Sequence, residues 1–467
     1  MHNTVIDTTF RFAMERLIKA GRLRVHDAMV SPHLQLAAIM KQEDGTEALL
    51  FPAVEDYAVP VIGNLLGSRE NCEAAFAATA HGLRDLIDRG LGGAMPPRMV
   101  TTVPVQEVVH RNGIDVLSAM PVLTHAPDDG GRFITAGVVI ARDPDTGVYN
   151  SSYHRLQVFG PDRLGIKLDW GRHLRAAFER AQRQNRPLPV AVAIGADLAL
   201  HLAAATMGSQ LPEGTDEMAV AGGISGRPLE VAPALTQDVI VPAEAEFVLE
   251  GELLPDETET EGPFGEFIGF AAPAAPAPVM RITAITHRRK PIYHAINGYG
   301  RETVVLRKYV LEASLLKVLR PAVPIVTDVE MTAGGLHRFH AILQLRKQSD
   351  AHDGLQRNAI LAAFGALKDL DLIIAVDDDI DIRDPVDVEY ALATRMEASR
   401  DLFTVPGARG HEYVRVSDNG IRTKLGIDAT VPFRDRARFA RVRFAEVDAD
   451  AAVWSTDPAV ARRILLD

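Results

Sequence analysis

Two carboxylates flank the turn in the stretch EGPFGEFIGF, which runs from Glu261 to Phe270 and is otherwise apolar. Glycine in this turn lets a planar ligand approach the backbone closely. If one carboxyl group, on Glu266 or Glu261, is held among the three phenylalanines of the stretch, its charged form is disfavoured. It could then hold a proton near neutral pH and deliver it as a general acid. Arg155 is the natural cation to hold the other carboxylate, and the alternative is two surface acids beside a turn.

A second polar cluster is the stretch NSSYHRLQ, from Asn150 to Gln157, which contains an amide, two hydroxyls, a phenol, an imidazole and a guanidinium. Burial of such groups is costly unless each has a partner. A solvated strand face is one interpretation, but polar residues occupy both alternating faces, so one face has to meet something polar. On a regular strand Asn150 and Arg155 point to opposite sides. Contact of both with one ligand therefore requires a bulge or a long ligand.

Three separated side chains, Asn150, His173 and Glu217, form a set of oxygen, nitrogen and oxygen donors. His173 lies where the helix of DWGRHLRAAF begins, and Glu217 precedes the small residues of GTDEMAVAGGISG. Taken singly, a histidine at a helix start and a loop acid each have a plain structural explanation. Taken together, the three suit an Mn²⁺ or Mg²⁺ ion that bridges to a phosphate.

The acidic run VDDDIDIRDP, from Val376 to Pro385, could be taken for a second metal site. It follows an apolar strand and precedes a helix. Helix capping and complementation of the helix dipole therefore account for its acids. We predict a structural role for this run.

Composition and missing motifs exclude several classes of protein. A formal net charge of -12 argues against a broad footprint for nucleic acid or anionic lipid. Cys72 is the single cysteine, which excludes internal disulfides and fits a reducing compartment. No run approaches the ~18 apolar residues of a membrane span, and the N-terminus lacks a signal-peptide pattern, so we expect a cytoplasmic protein. Walker loops, HExxH, paired CxxC and GxSxG motifs are absent from the sequence.

The order of the patterns predicts a mixed α/β (α+β) chain. Helical periods with one short strand suggest a small α/β domain over residues 1–104. Strands and turns dominate residues 105–300, which predicts a barrel or folded sheet in which DPDTG joins a hairpin and AEFVLEGELL alternates between apolar and polar residues. A linker helix over 301–320 leads to a C-terminal α/β domain over 321–467.

Several separated motifs resemble the UbiD family of reversible decarboxylases that use prenylated FMN. They are N-x-x-x-x-R-x-Q at Asn150 to Gln157 and EGPFGEF at Glu261 to Phe267. The stretches VPAEAEFVLEGEL, AVDDDIDIRDPVDVEYALATRM and TKLGIDAT are also similar to that family, so the resemblance covers most of the chain. Family members often read N-x-G-x-Y-R. Here the aromatic residue comes one position earlier, at Tyr153, and the glycine is absent.

The resemblance implies a catalytic role for the residues of the first two motifs. Glu266 matches the proton donor of the family. Glu261 and Arg155 match the pair that orients this donor and the substrate carboxylate.

The resemblance also implies a cofactor and two metal ions. Asn150, His173 and Glu217 match the ligands of a Mn²⁺-type ion that bridges to the cofactor phosphate, and a neighbouring K⁺ is expected to use main-chain oxygens near Thr206 to Ser209. Further contacts with prenylated FMN are expected from the following residues: Ser151, Ser152, Tyr153, His154, Arg155, Arg172 and Lys424.

Prenylated FMN agrees with the chemistry of decarboxylation. Loss of CO₂ from an unsaturated or aromatic acid leaves an anion at an sp² carbon, and no side chain is an adequate electron sink. The protein then supplies orientation, a dry site and one proton. By resemblance, we expect a split β-barrel-like flavin-binding domain at the centre of the chain, a flavin prenyltransferase that supplies the cofactor, and a homodimer or larger homo-oligomer formed through the C-terminal domain.

The candidate substrate contacts are His294, Asn297 and Arg301 in IYHAINGYGRETVVL. These residues and the YHRLQ variant are similar to family members that act on heteroaromatic acids, namely pyrrole, furan or indole carboxylates. Arg301 could hold a second carboxylate or form an ordinary surface salt bridge. The alternatives are a phenolic or cinnamic acid decarboxylase, a flavin-free metal-dependent lyase or hydrolase, and a non-catalytic flavin-binding protein.

Overall fold

A computed structural model of the protein describes residues 5–169, 171–206, 211, 214–417, 419–445, 457 and 459. Within these residues the strands group into sheets of four, nine and five strands and two smaller ones. The architecture is the mixed α/β fold that the sequence predicts. No helix in these described ranges has the length and apolar content that crossing a membrane requires.

The N-terminal part is a small sheet covered by amphipathic helices. Phe10, Ala13, Met14 and Leu17 of the first helix are buried, and this i, i+3, i+4, i+7 spacing forms one apolar face. The fourth strand of the sheet comes from much later in the chain, at Tyr293–His294. The elements are α1 (Phe10–Lys19), β1 (Leu23–Val25), α2 (Gln35–Gln42), β2 (Ala48–Phe51), β3 (Val61–Gly63), α3 (Arg69–Phe76), α4 (Ala80–Gly92) and β4 (Arg98–Met99).

The central part is a folded nine-stranded sheet. Its elements are β5 (Val108–His110), α5 (Val116–Ala119), β6 (Phe133–Ile134), β7 (Val138–Arg142), β8 (Tyr149–Tyr153), β9 (Leu156–Gly160), β10 (Arg163–Ile166), α6 (His173–Arg183), β11 (Leu188–Ile194), α7 (Leu198–Ala204), α8 (Glu217–Ser225), β12 (Glu230–Pro233), β13 (Ile240–Pro242), β14 (Phe247–Glu261), β15 (Phe264–Gly265), β16 (Ala271–Ala272), β17 (Ala275–His287) and β18 (Tyr293–His294). The strand order is β6-β9-β10-β17-β14-β11-β7-β8, and β5 pairs with β17.

The hairpin predicted around DPDTG is confirmed. β7 and β8 are antiparallel, and Gly147 has a φ of 74°, which belongs to the left-handed region. β8 ends at Tyr153 and β9 begins at Leu156, so Arg155 lies in a short break between two strands. The alternation of a regular strand therefore does not force the side chain of Arg155 onto the face opposite Asn150.

The strand predicted from the alternation of AEFVLEGELL is confirmed, but the alternation does not separate a buried face from an exposed one. Residues 247–254 of β14 are buried on both faces except at Glu252, because β14 lies between β11 and β17 in the middle of the sheet. Glu250 is fully buried and accepts hydrogen bonds from the backbone N–H groups of Leu235, at 2.8 Å, and Thr236, at 2.6 Å. Loop backbone, not solvent, therefore satisfies this carboxylate.

The C-terminal part begins with one long helix and continues as a five-stranded sheet. β20, β21 and β23 are parallel, and β19 and β22 are antiparallel edge strands, which matches the predicted βαβ connections. The elements are α9 (Arg301–Ala322), β19 (Val326–Met331), β20 (His340–Leu345), α10 (Leu355–Ala366), β21 (Leu372–Asp377), α11 (Pro385–Arg395), α12 (Ala398–Asp401), β22 (Leu402–Arg409) and β23 (Ile421–Ala429).

The structural role predicted for VDDDIDIRDP is confirmed. The carboxylate of Asp384 accepts the backbone N–H of Val386 at 3.0 Å and caps α11. Asp377 and Asp379 both accept hydrogen bonds from Arg395, at 2.6 to 3.1 Å. Ion pairing with a distant arginine, which the sequence alone did not indicate, therefore adds to capping.

A buried ion network joins the N-terminal part, α9 and the C-terminal sheet. Asp328 of β19 is 6% exposed and accepts hydrogen bonds from Arg84 of α4 and, at 2.8 Å, from Arg383. Burial alone would raise the pKa of Asp328, but the two guanidinium groups hold it below its ordinary value. Next to this pair, Lys308 Nζ of α9 donates to Glu330 Oε1 at 2.5 Å. Charge pairing thus fixes α9 between the two parts.

Substitution Asp328→Asn tests how much this network contributes to the stability of the fold. It removes the nearest counter-ion of the buried Arg84 and of the half-buried Arg383, so we expect the free energy of unfolding to fall by about 3–5 kcal/mol. Denaturant unfolding followed by circular dichroism measures this change. The control is Arg24→Met, which removes an exposed pair with Glu43 at 2.8 Å and should cost no more than about 1 kcal/mol. Equal losses in the two variants would contradict the role of Asp328.

Candidate active site

The stretch from Glu261 to Phe270 folds into a small hairpin at the edge of a cleft. β14 ends at Glu261, and Gly262 follows with a φ of 92°, which glycine adopts without strain. β15 pairs with β16. The backbone N–H of Glu266 donates to the carbonyl of Phe270 at 2.9 Å, so Glu266 lies at the tip of the hairpin.

Arg155 holds both glutamates of this stretch. Its Nε and Nη2 donate to the two oxygens of Glu261 at 2.7 and 2.8 Å, and its Nη1 donates to Glu266 Oε1. Burial would lower the pKa of Arg155, but the bonds to Glu261 and the charge of Glu266 raise it above its ordinary value. The side chains of Glu261 and Glu266 are 2% and 18% exposed. Glu261 is therefore locked, whereas Glu266 faces the cleft.

The surroundings of Glu266 differ from the predicted cage of three phenylalanines. Phe264 is buried and lies 5.1 Å from Arg155 Cζ, but Phe270 is 45% exposed and packs under Arg415. A second cation, Lys167 Nζ, lies 3.5 Å from Glu266 Oε1. Backbone hydrogen bonds turn the end of the hairpin outward, which a count of aromatic residues along the sequence does not reveal.

The cleft lies where the central sheet meets α9 and the C-terminal part. The central sheet contributes the glutamate–arginine network, α9 contributes one wall, and two C-terminal loops cover the opening. The lining residues include Tyr153, His154, Arg155, Lys167, Arg172, Phe264, Glu266, Thr303, Leu306, Arg307, Leu336, His337, Arg338, His411 and Tyr413. The cleft is therefore completed by parts of the chain that are far apart in sequence.

Asn150 and Glu217 lie together at the start of α8. Asn150 Nδ2 donates to Glu217 Oε1 at 2.9 Å, and the backbone N–H of Ser151 donates to Glu217 Oε2 at 2.8 Å. Burial raises the pKa of Glu217 to about 7 because no cation faces it in the described part of the chain. Two oxygen donors with a buried, uncompensated carboxylate fit a divalent cation.

The other predicted cofactor and metal residues are distributed as follows. His173 is the exposed first residue of α6 and makes no hydrogen bond to described residues, and Arg172 beside it lines the cleft. Ser152 Oγ donates to Asn150 Oδ1 at 3.0 Å. His154 Nδ1 donates to the carbonyl of Lys167 at 2.9 Å. For the K⁺ site, Thr206 is described, whereas Met207 to Ser209 lie outside the described residues.

Lys424 and the three candidate substrate contacts do not line the cleft. Lys424 Nζ donates to the carbonyls of residues 368, at 2.7 Å, and 370 in the C-terminal sheet. Arg301 is the exposed first residue of α9, Asn297 Nδ2 donates to the carbonyl of residue 37 at 2.9 Å, and His294 is 1% exposed in the core. Ile296 and Gly298, the neighbours of Asn297, do line the cleft.

Two arginines of the cleft were not found from the sequence. The side chain of Arg307 of α9 makes no hydrogen bond or ion pair with any described residue, although the charges of Asp169 and Asp369 act on it. Burial, with the positive charges of Arg338 and Arg172, lowers its pKa to about 9. Arg338 follows two non-glycine residues, Leu336 and His337, with φ values of 55° and 49°, and such strained backbone is typical of functional sites. The signal in the sequence that could have identified Arg307 was its position among the apolar residues of VVLRKYVL.

The residues present fit a flavin phosphate held through a metal ion. The carboxylate of Glu217 needs a cation, Ser151 Oγ is buried without a partner among the described residues, and Arg172 offers a positive charge at the cleft. Tyr153, His154 and Arg155 follow on the same wall. The donor set therefore agrees with a phosphate-bearing flavin.

Three domain models of one family match this chain in order. The 3-octaprenyl-4-hydroxybenzoate carboxy-lyase N-terminal domain matches residues 14–90, the Rift-related domain matches residues 98–300, and the C-terminal domain matches residues 304–429. Together these UbiD models cover most of the chain.

Solved structures and a curated relative agree with these matches. The UbiD-class enzyme HmfF from Pelotomaculum thermopropionicum in complex with FMN is 42% identical with a TM-score of 0.89, over 93% of this chain and 97% of that one. An evolved dimeric form of HmfF in complex with prFMN is 40% identical with a TM-score of 0.85, over 96% and 99%. An anhydromevalonate phosphate decarboxylase from Methanothermobacter thermautotrophicus is 35% identical, over 89% of this chain and 96% of that protein.

Substitution Gly130→Ala tests whether catalysis depends on the exact position of the hairpin that carries Glu266. The N–H of Gly130 donates to the carbonyl of Pro263 at 2.8 Å, and a Cβ added at Gly130 would lie 2.1 Å from the carbonyl oxygen of Gly262. The hairpin has to move, so we expect kcat/KM to fall by about 100-fold. The matched control is Gly160→Ala, whose Cβ enters open space. Unchanged kcat/KM in Gly130→Ala would show that the hairpin position is not critical.

Proposed function

Because the chain belongs to the UbiD family of carboxy-lyases and is a flavin-dependent decarboxylase, we propose that it reversibly decarboxylates a heteroaromatic carboxylic acid that carries a second anionic group. Prenylated FMN is the proposed cofactor, and Glu266 is the proposed proton donor. Family membership sets aside the flavin-free metal enzyme and the non-catalytic flavin-binding protein.

The proposed reaction uses the Arg155 network for orientation and for one proton. Prenylated FMN, when bound, supplies the electron sink that side chains lack. Glu261 holds two guanidinium nitrogens of Arg155, so that Arg155 can orient the substrate carboxylate with little loss of freedom on binding. Glu266 delivers a proton to the carbon that has lost CO₂ and regains one from solvent. Phe264 and the covering loops keep water away.

A divalent ion is proposed to hold the cofactor phosphate. Asn150 and Glu217 would supply oxygen ligands, and His173 would supply a nitrogen. Mn²⁺ or Mg²⁺ suits this donor set. K⁺ near Thr206, a flavin prenyltransferase as cofactor supplier, and a homo-oligomer complete the proposal.

The guanidinium of Arg307, half-buried in the cleft wall and without a hydrogen bond or ion pair to a described residue, is the observation that carries the choice of substrate. The more distant charges of Asp169 and Asp369 only partly offset its desolvation, so a ligand that supplies a negative charge would stabilise it. Arg155, held by two glutamates, orients the carboxylate that reacts, so Arg307 on α9 would bind a different anionic group. In this proposal His294, Asn297 and Arg301 support that wall and do not touch the acid, and Lys424 supports the C-terminal sheet.

A phosphorylated acid is the second candidate substrate. Arg307 would bind a phosphate as well as a carboxylate, and a relative at 35% identity is an anhydromevalonate phosphate decarboxylase. A panel of heteroaromatic dicarboxylates, heteroaromatic monocarboxylates, phenolic and cinnamic acids, and a phosphorylated unsaturated acid distinguishes the candidates. We expect the fastest CO₂ release from a heteroaromatic dicarboxylate.

Glu266→Gln tests the proton donor. In protein from a host that makes prenylated FMN, we expect CO₂ release to fall by about 10²- to 10⁴-fold, because glutamine cannot deliver the proton. Solvent deuterium should no longer enter the product, while flavin absorbance stays the same. Glu259→Gln, which alters an acid 41% exposed and paired with Arg163, is the control. Full deuterium incorporation in Glu266→Gln would rule out this role.

Arg307→Met tests the second anionic group. We expect kcat/KM for the dicarboxylate to fall by at least about 30-fold, because the desolvated charge loses its partner. The value for the matching monocarboxylate should change little. Arg320→Met alters an exposed arginine of the same helix and serves as control. Equal losses for both substrates would assign Arg307 to the cofactor instead.

A further inference from the structure

Four side chains form a polar path from the cleft into the core, and we call them the Tyr153–Glu302 chain. Tyr153 lines the cleft, His201 lies on α7, His294 lies on β18 and Glu302 lies in the first turn of α9. His201, His294 and Glu302 are 0%, 1% and 2% exposed. The proton transfer proposed above uses none of these groups, so their burial needs another explanation.

Contacts join the four members in order. Tyr153 Oη is hydrogen-bonded to His201 Nδ1. The rings of His201 and His294 meet edge to face, with centroids 5.4 Å apart and planes at 71°. His294 Nε2 lies 3.2 Å from Glu302 Oε1. The path therefore crosses from the end of β8 to the start of α9.

Glu302 determines which ring nitrogen of His294 carries the hydrogen. Its two carboxylate oxygens accept the backbone N–H groups of Leu65 and Leu66, each at 3.0 Å. A carboxylate is acceptor-only. His294 Nε2 therefore donates to Glu302, and His294 Nδ1 is left as an acceptor.

Tyr153 and His201 are both neutral at the cleft end. Burial raises the pKa of Tyr153 well above its ordinary value and lowers the pKa of His201 well below its ordinary value. In the orientation that continues the path, the phenol donates to His201 Nδ1, which leaves His201 Nε2 as a donor. Neither His201 Nε2 nor His294 Nδ1 has a hydrogen-bond partner among the described residues, so the contact of the two rings joins the histidines.

We infer that the Tyr153–Glu302 chain positions two opposite walls of the cleft relative to each other. At one end, Tyr153 closes β8 just before Arg155. At the other end, Glu302 begins the helix that carries Arg307. Because the hydrogen bond at each end and the ring contact between the histidines each need one arrangement of their groups, a change at one end is transmitted to the other. All four members are positioning residues, since only the ring of Tyr153 borders the cleft.

The first test is a double-mutant cycle read by the binding of FMN to the full chain, followed by quenching of FMN fluorescence. This readout requires no substrate, so it is separate from the proposed function. We expect Tyr153→Phe and His201→Phe each to weaken FMN binding by about 5- to 10-fold, as for loss of one buried hydrogen bond. The double variant should bind no more weakly than either single variant, because both remove the same bond.

The matched control is Tyr309→Phe. Tyr309 is as buried as the chain, and its hydroxyl has no partner among the described residues, so FMN binding should not change. Additive losses in the double variant, or an equal loss in Tyr309→Phe, would overturn the inference. Distant, independent sites give additive effects.

The second test is nitrogen NMR of histidine-labelled protein, which remains informative if a variant folds poorly. We expect the signal of His201, assigned by its loss in His201→Phe, to show the tautomer with hydrogen on Nε2. Tyr153→Phe should shift the signals of His294 although the two residues share no hydrogen bond, and Tyr309→Phe should not. An Nδ1–H tautomer of His201, or unshifted His294 signals in Tyr153→Phe, would overturn the inference.

Discussion

The bidentate pair of Arg155 with Glu261 is the interaction on which the site depends. Both groups are nearly buried, with side chains 9% and 2% exposed, and a buried charge without its partner is strongly unfavourable. The pair therefore forms as a unit. It requires the break between β8 and β9, the end of β14 and the following glycine turn to meet in one place, which fixes the cleft wall before any ligand arrives.

Positive charge gathers in the cleft of a protein whose net charge is -12. Lys167, Arg172, Arg307 and Arg338 line it together with the acids Asp169 and Glu266, and the guanidinium of Arg307 makes no ion pair with a described residue. An excess of positive charge in such a site attracts anions. The cleft is thus positive although the whole chain is negative. A phosphate and an acidic substrate both supply the negative charge that the site lacks.

The sequence predicted those parts of the site whose structure depends on residues close together in the chain. The turn at Gly262, the hairpin before Asn150 and the helix start at His173 each depend on a few adjacent residues. The shielding of Glu266 by three phenylalanines was wrong for Phe270, because tertiary packing turned that ring outward. Arg307 was missed because its neighbours in sequence indicate only an apolar helix, whereas the charged residues around it, Arg172, Arg338 and Asp169, come from other parts of the chain.

The sequence by itself determined the fold class, the family resemblance and the residue types available for chemistry, since these follow from periodicity and motifs. The family resemblance gave Glu261 and Glu266 different roles, but the residue types alone did not show how the environments of these two identical side chains in one turn would differ. Tertiary structure decided that difference. Glu261 ends the central strand β14 and is closed in by Arg155, whereas Glu266 lies at the hairpin tip beside Lys167 and faces the cleft. Burial and partners, which depend on residues distant in sequence, give identical carboxylates different environments.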